Sequence, residues 1–377
     1  MLLALRQRQL LGLGLLWCTG YAQADWAANM REGVTAVSQS IYNLHMTIFW
    51  ICVVIGIVVF GVMFWSMLMH RKSRGAKPAT FHENTLVEII WTTIPFFILV
   101  GMAIPASKTL IEAYDASEAE IDIKITGYQW KWKYDYLNEK IGFFSNLSTH
   151  RDEINNLKPK NANYLLEVDE PVVVPVDKKV RFLITSADVI HSWWVPDLAV
   201  KKDAIPGFIN EAWTKIEKPG VYRGQCAELC GKDHGFMPIV IEAKTEDDYK
   251  LWLAAKQEQA EKEKELTTKE WSMEELMARG EKVYNTACAV CHQANGEGMP
   301  PVFPALKDSP LIMTGDVKDH IDIIVNGKQG TAMQAFGKQL SEVDIAAVTT
   351  YERNAWGNNK GDMVTPQDIV KFNEAAQ

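Results

Sequence analysis

The amino-acid sequence predicts a three-part fold: a hairpin of two membrane-crossing α-helices, then an all-β domain, then an all-α domain. Two almost wholly apolar runs, 47–69 and 86–106, predict the hairpin because each is long enough to cross a bilayer. Alternating apolar and polar residues beyond Glu120 predict strands, whose side chains point to opposite faces in turn. Helical periodicity returns after Trp271, so the last domain is expected to be small and α-helical.

The first 24 residues have the features of a secretory signal peptide. Arg6 and Arg8 precede an apolar run, and the small residues Ala22 and Ala24 stand before Asp25. Cleavage there would make the formal net charge more negative than the −8 of the whole chain. Such a charge argues against nucleic-acid binding and favours a basic protein partner. Residues 25–46 are then expected to form a periplasmic segment ahead of the first membrane helix.

The membrane hairpin is predicted to have both of its ends in the periplasm. As a helix, the first run would be about 35 Å long at ~1.5 Å per residue. The loop 70–85 carries Arg71, Lys72 and Arg74, and the positive-inside rule places such a loop in the cytoplasm. Buried core helices of a soluble protein are the alternative, which the run length and the flanking charge disfavour.

Four further segments complete the predicted organisation. Residues 120–245 form the β domain, with short strands expected at 164–168, 172–176, 180–185, 212–217, 220–225 and 239–242. Residues 246–270, dense in Glu and Lys, predict a solvated linker helix. The α-helical domain covers residues 271–357, and residues 358–377 are expected to be a loosely ordered tail.

Soft metal ligands are concentrated in one loop of the β domain, which contains Cys226, Cys230, His234 and Met237. Thiolates and thioethers favour soft metals and imidazole suits copper, whereas zinc does not ordinarily use methionine. Two cysteines four residues apart can each bridge a pair of copper ions, which predicts a fast electron-transfer site. A disulfide between Cys226 and Cys230 is the alternative for an exported chain.

A second pair of cysteines predicts a covalently attached haem. Cys288, Cys291 and His292 form the c-type attachment motif Cys-x-x-Cys-His, in which the cysteines hold the porphyrin and the histidine binds iron. A redox-active thiol pair is the alternative, which the adjoining histidine disfavours. A methionine as the second axial ligand would raise the reduction potential. The candidates are Met299, Met313 and Met333.

The thiol-rich loop resembles the CuA centre of cytochrome c oxidase subunit II, whose pattern is Cys-x3-Cys-x3-His-x2-Met. That family supplies one more ligand from a His-Ser-Trp segment, and His191 begins such a segment here. The resemblance implies a cupredoxin-like β domain in which two cysteines bridge two copper ions. It also implies that the Glu228 side chain faces a magnesium or manganese ion shared with subunit I. The implied copper ligands are His191, Cys226, the backbone carbonyl of Glu228, Cys230, His234 and Met237.

The same resemblance assigns roles at three other places. Trp130 matches the tryptophan through which electrons reach CuA, although alternating aromatics are also typical of the buried face of a strand. Glu88, at the cytoplasmic start of the second membrane run, matches a glutamate at the mouth of a proton path into subunit I. Interfacial snorkelling is the alternative for Glu88. The loop 330–336 is similar to the distal-ligand loop of small cytochromes c, which selects Met333.

The resemblance implies an electron-carrying subunit with a fused C-terminal cytochrome c domain. Electrons from cytochrome c or another respiratory donor would pass to the haem, then to CuA, then to the haems and CuB of subunit I. Oxygen reduction and proton pumping would take place in that partner, so no catalytic residue is expected in this chain. Subunit III is a further expected partner, and the expected location is a bacterial inner membrane.

Two other classes of protein are alternatives to an oxidase subunit. A nitrous oxide reductase also uses CuA, but the membrane hairpin, Glu88 and the fused haem argue against that class. A tethered electron carrier or a copper-delivery protein is the second alternative. Delivery proteins bind single, exchangeable copper ions, whereas this loop offers ligands for a closed two-metal site.

Overall fold

The computed structural model describes residues 29–375. The predicted signal peptide, residues 1–24, and the end of the predicted tail lie outside the described residues. The chain divides into two compact units, one built on the hairpin together with residues 195–201, and the other on both soluble domains.

Two long apolar helices form the first unit, α1 (Ala36–Met69) and α2 (Thr85–Tyr114), with a 3₁₀ turn at Lys72–Arg74 between them. Both are long and apolar enough to cross a membrane. Helix α1 begins well before the predicted residue 47, because Thr35 and Ser38 form a capping box that starts it in polar sequence. Helix α2 runs past the predicted residue 106, because residues 107–114 contain neither glycine nor proline.

Ten strands and one short helix form the β domain. The strands are β1 (Ile121–Tyr128), β2 (Lys131–Tyr136), β3 (Ile141–Ser145), β4 (Val172–Pro175), β5 (Val180–Ser186), β6 (His191–Val195), β7 (Val200–Ala204), β8 (Asn210–Thr214), β9 (Gly220–Cys226) and β10 (Pro238–Lys244). They make two five-stranded sheets, in the orders β3-β2-β1-β5-β8 and β4-β10-β9-β6-β7. The helix, α3 (Arg151–Ile154), precedes β4. The predicted all-β, cupredoxin-like domain is therefore confirmed.

The core of the β domain is filled from alternate positions of its strands. Ile123, Ile125, Phe182 and Trp193 are among the side chains with no exposed surface. Residues 164–168 were expected to be a strand, but Tyr164 and Leu165 lie in a turn, with Leu165 at a φ of 61°, outside the β region, and Val168 makes an isolated bridge to Leu147.

Helix α4 (Glu246–Thr268) follows the β domain directly. The sequence predicted a solvated linker here, but the structure differs over the first half of the helix. Tyr249 is buried, and the ring centroid of Trp252 lies 5.3 Å from that of Tyr136 and 6.2 Å from that of Phe143. Because positions three apart share a helix face, these two aromatics pack together on the β domain.

The last domain is α-helical, as predicted. Its helices are α5 (Met273–Val283), α6 (Ala289–His292), α7 (Pro310–Met313), α8 (Val317–Asn326), α9 (Glu342–Asn354) and α10 (Pro366–Ala375). Helices α5 and α9 cross closely at Gly280, where a Cβ atom would lie 2.2 Å from the carbonyl oxygen of Ala347. The expected loose tail is instead helical over α10, because Val364 and Ile369 are buried in the core of this domain.

Candidate metal centre and haem attachment site

The register of two strands brings the thiol-rich loop to the start of β6. Trp193 of β6 pairs with Cys226, the last residue of β9. The backbone N–H of Ala227 donates to the carbonyl of Ser192 at 3.0 Å. These pairings place the buried ring of His191, the first residue of β6, beside the Cys226 thiol.

Four atoms that can bind a metal lie close together around the Cys226 thiol. Nδ1 of His191 lies 4.0 Å from Sγ of Cys226, and the two sulfurs of Cys226 and Cys230 are 3.9 Å apart. The carbonyl oxygen of Glu228 lies 3.4 Å from Sγ of Cys226. Ligand atoms of His191, Cys226 and Cys230 all fall within 4.8 Å of one another.

The second half of the loop completes the donor set around Cys230. Its sulfur lies 3.5 Å from Nδ1 of His234 and 3.5 Å from Sδ of Met237. Met237 is buried, so its thioether faces the thiols rather than solvent. The structure therefore brings together all six residues that the sequence suggested as copper ligands.

The two thiols of the loop differ in how readily they ionise. Burial opposes ionisation of Cys226, but hydrogen bonds with His191 and with the backbone lower its pKa to about 7. Burial, followed by the charge of Cys226, raises the pKa of Cys230 to about 12. Both are free thiols, and their separation of 3.9 Å excludes an S–S bond in this structure. A bound cation would relieve the repulsion between two thiolates.

Asp188 orients the His191 ring, and the sequence reasoning missed it. Its Oδ1 lies 2.8 Å from Nε2 of His191, and its Oδ2 accepts the backbone N–H of Gln129 at 2.7 Å. Burial opposes the charge of Asp188, but these hydrogen bonds lower its pKa. The carboxylate thus holds Nε2 and leaves Nδ1 for a metal, an arrangement common for metal-binding histidines. The available signal was an acidic residue three positions before the histidine.

Gln129 and Trp130 both donate to the backbone carbonyl of Cys230. The amide Nε2 of Gln129 lies 2.8 Å from that oxygen, and the indole Nε1 of Trp130 lies 3.2 Å from it. The indole therefore contacts the thiol-rich loop through the backbone of one of its cysteines. Gln129 was not among the predicted site residues.

The haem-attachment motif lies on two consecutive turns of helix. A π-helical turn, Tyr284–Cys288, leads into α6, and such turns occur frequently at functional sites. His292 is buried, and its Nδ1 donates to the carbonyl of Pro304 at 2.9 Å. That bond fixes the ring and leaves Nε2 for iron. Cys288 and Cys291 are free thiols, as attachment of a haem requires.

The three methionine candidates lie in different segments of the last domain, two of them in loops and Met313 at the end of α7. Met333 is half-buried between α8 and α9, and its backbone N–H donates to Oγ1 of Thr331 at 3.2 Å. Met299 is 42% exposed, and the carbonyl of Met313 accepts a hydrogen bond from Lys360 at 2.9 Å. The choice of Met333 as the axial ligand stays a prediction.

One hydrogen bond joins the loop that contains Met333, which we call the haem-side loop, to the turn between β1 and β2. Nε2 of Gln334, the residue after Met333, donates to the carbonyl of Gln129 at 3.2 Å. Gln129 is in turn bonded to Cys230 through its side chain. The two candidate sites therefore meet at a contact next to Trp130, which we call the domain seam.

The two acidic candidates, Glu228 and Glu88, have roles that involve a partner subunit. The Glu228 side chain is exposed, while its carbonyl faces the thiols. Glu88 lies in the first turn of α2, behind the N-cap Asn84, where a negative charge also suits the helix dipole. Both roles stay predictions.

Comparison with protein families gives three consecutive matches. Residues 23–109 match the transmembrane domain of cytochrome C oxidase subunit II, and residues 121–244 match its periplasmic domain. Residues 275–351 match subunit III of cbb3-type cytochrome C oxidase.

Individual relatives agree with these matches. A probable cytochrome c oxidase subunit 2 of Rickettsia bellii is 40% identical over 249 residues, which cover 66% of this chain and 91% of the relative. Cytochrome c oxidase subunit 2 of Cyanidium caldarium is 37% identical over 242 residues, 62% of this chain and 92% of the relative. The crystal structure of the periplasmic domain of subunit II from Bradyrhizobium japonicum is 41% identical, covers 38% of this chain and 98% of that domain, and gives a TM-score of 0.35.

Proposed function

The chain belongs to the cytochrome c oxidase subunit II family, and we propose that it is the electron inlet of a proton-pumping haem-copper oxidase. Its family and its cytochrome c domain fit electron transfer, and its two spanning helices fit a membrane-anchored subunit. In this proposal electrons pass from a fused c-type haem to a binuclear CuA centre and on to subunit I. Reduction of oxygen to water takes place there.

The observation that carries the proposal is the convergence of four further ligand atoms on the two cysteine sulfurs. Two thiols 3.9 Å apart, with an imidazole and a further ligand on each side, are a donor set for two soft metal ions. The lowered pKa of Cys226 supplies one thiolate near neutral pH. The hydrogen bond to Asp188 orients the His191 ring so that its Nδ1 is left for a metal. Copper bound there would supply one-electron redox chemistry.

The haem site supports the order of transfer. The bond from His292 to Pro304 presents Nε2, and two free thiols stand at the attachment positions. We assign Met333 as the second axial ligand. Because Gln334 binds Gln129 at the domain seam, the haem-side loop contacts the segment that leads to Cys230. Trp130, whose indole N–H donates to the same carbonyl, is the residue through which we propose that electrons enter the copper centre.

The remaining assignments concern partners and location. Subunits I and III would complete the complex, with cytochrome c or another respiratory protein as the donor. The exposed Glu228 side chain would reach a magnesium or manganese ion shared with subunit I, and Glu88 would stand at the mouth of its proton path. The net charge of −8 suits a basic donor. The complex would lie in a bacterial inner membrane with both soluble domains in the periplasm.

Replacing one bridging thiol tests the copper assignment. We expect Cys230→Ser, in the complex purified from membranes, to lose two copper ions and the EPR signal of an electron shared between two copper nuclei. Cys52→Ser is the matched control, because it is the same substitution at an exposed cysteine of α1 that is not among the assigned copper ligands. Copper content and EPR spectra are the measurements. Wild-type protein that contains zinc or no metal at this site, or equal copper in both variants, would sink the assignment.

The axial ligand is tested by two methionine variants. We expect Met333→Leu to change or abolish the low-spin haem spectrum, because the iron loses its thioether. Met299→Leu carries the same change in another loop of the domain and is expected to leave the spectrum unaltered. Visible absorption of the reduced and oxidised protein is the measurement, and the reverse pattern would move the assignment to Met299.

A further inference from the structure

Two contacts hold the haem-side loop against the turn between β1 and β2, one on each side of Trp130. The side-chain amide of Gln334 donates to the carbonyl of Gln129 at 3.2 Å. Two residues further along each segment, Nζ of Lys131 lies 5.9 Å from the ring centroid of Phe336. Trp130 is therefore flanked in the sequence by two residues that contact the haem domain.

The haem-side loop is held in shape by its own backbone and by α8. The backbone N–H of Lys328 donates to the carbonyl of Met333 at 3.1 Å. That of Phe336 donates to the carbonyl of Ile324, on α8, at 2.8 Å. Gly327 lies between them at a φ of 71°, and an added Cβ there would lie 2.8 Å from the carbonyl oxygen of Met333. The residue after Met333 thus projects from a loop whose backbone is fixed by the haem domain itself.

Gln129, on the other side of the contact, is held by residues of the candidate copper site. Its backbone N–H donates to Asp188 at 2.7 Å, and its side chain donates to the carbonyl of Cys230 at 2.8 Å. The carbonyl oxygen of Gln129 can only accept a hydrogen bond, so the N–H end of the Gln334 amide must face it. Because both partners are held before they meet, the bond between them costs little conformational entropy.

We propose that Gln334 is a positioning residue for electron transfer from the fused haem, because its bond to Gln129 fixes the haem-side loop beside Trp130. This inference rests on the proposed function. In the transfer one electron leaves the haem iron, which is oxidised, and reduces the copper pair by one. Gln334 follows Met333, the assigned axial ligand, and two consecutive hydrogen bonds link it through Gln129 to the carbonyl of Cys230. Electron tunnelling slows steeply with distance, so the contact that fixes this loop also fixes the rate.

Removing the donor of this bond tests the proposal. We expect Gln334→Leu to lower the ratio of docked to undocked haem domain about fivefold, the effect of losing one ordinary hydrogen bond. Gln334→Glu keeps the shape of the side chain but has no N–H donor at neutral pH, so a change in the same direction is expected. Gln367→Leu is the matched control, the same substitution at an exposed position of α10.

Two measurements on the purified complex report on the contact. Amide hydrogen exchange of segments 129–131 and 331–336, followed by mass spectrometry, reports on opening of the seam whether or not the cofactors are present. The rate at which copper is reduced after flash reduction of the haem reports on the transfer. We expect faster exchange and slower transfer in both Gln334 variants, with the haem and copper spectra and both midpoint potentials unchanged.

Several outcomes would overturn the inference. These are wild-type exchange and transfer in Gln334→Leu, equal changes in Gln367→Leu, and slower transfer without faster exchange. Wild-type behaviour of Gln334→Glu would also overturn it, because the contact would then depend on shape and not on the donor. Wild-type protein that contains no haem or no copper would instead overturn the proposed function, and the exchange measurement would still test the contact.

Discussion

Lys131, the first residue of β2, lies at the contact between the two soluble domains, and its pKa is shifted there. Its Nζ lies 4.7 Å from the ring centroid of Phe144 in the β domain and 5.9 Å from that of Phe336 in the haem domain. Burial between these rings lowers the pKa of Lys131 to about 8, although nearby negative charges oppose the shift. The ammonium is therefore held there at a cost in free energy.

The sign of the effect on stability follows from the two pKa values. The folded pKa of Lys131, about 8, lies below its ordinary 10.5, so the unfolded state binds more protons in that range and stability rises with pH. Below pH 8 the full cost is present, so Lys131→Met is expected to be more stable than the wild type there, by about 1–2 kcal/mol after the lost cation–π contacts. The advantage should vanish towards pH 10.5.

Thermal midpoints of wild type and variant, followed by tryptophan fluorescence from pH 7 to pH 10, measure this difference. Lys133→Met is the control, because Lys133 also lies over Phe144, at 5.7 Å, but keeps an ion pair with Asp135 at 3.3 Å. A gain for Lys131→Met that does not depend on pH, or a similar gain for Lys133→Met, would contradict the explanation.

At the same scale, the sequence could identify the donor residues but not the residues that hold them. Cys226, Cys230, His234 and Met237 stand within one loop, so their chemistry was visible as a local pattern. Asp188, three positions before His191, gave a local signal, but the partner of another buried histidine lies far away in the sequence. Glu352 stands 32 residues after His320, and such pairings carry no local signal.

Among the elements, alternating burial accounts for β5 but not for every correct prediction, because the fully buried β4 was also predicted. Strand β5 buries every second residue and was found, whereas β6 buries four of its five residues and shows no alternation. Helix α10 was missed because it lies in a polar tail and depends on few buried residues, Ile369 among them. Its formation depends on contact with α9 rather than on its own sequence.

Helix α4 is the element for which the structure differs most from the prediction made from the sequence. Few of its residues are apolar, so composition predicted only a solvated linker. The four side chains that dock it, Tyr249, Trp252, Lys256 and Glu263, recur at intervals of three, four and seven residues and so share one face. Lys256 donates to Glu170 of the β domain at 2.6 Å.

For the whole molecule, α4 is a strut that contacts both soluble domains. Its first half packs on the β domain, and its second half carries Glu263, which accepts hydrogen bonds from Arg279 at 2.6 Å and from Ser341 at 2.9 Å. Arg279 is also bonded to Asp344, at the start of α9. One carboxylate thus ties the strut to two helices of the haem domain, and we expect the position of that domain at the seam to depend on it.

Glu263→Ala should therefore slow electron transfer between the domains while leaving each cofactor intact. Losing charge-assisted hydrogen bonds that are partly exposed costs about 1–2 kcal/mol, enough to lower the ratio of docked to undocked protein about tenfold. Flash reduction of the haem, followed by the rate at which copper is reduced, measures the effect, with unchanged spectra as the check. Glu261→Ala is the control, because Glu261 pairs along the helix, with Lys264 at 2.7 Å, and has no other ion pair within residues 29–375. Equal rates in wild type and Glu263→Ala would show that the seam holds without the strut, since contacts such as Gln334 to Gln129 would then suffice to fix the haem domain.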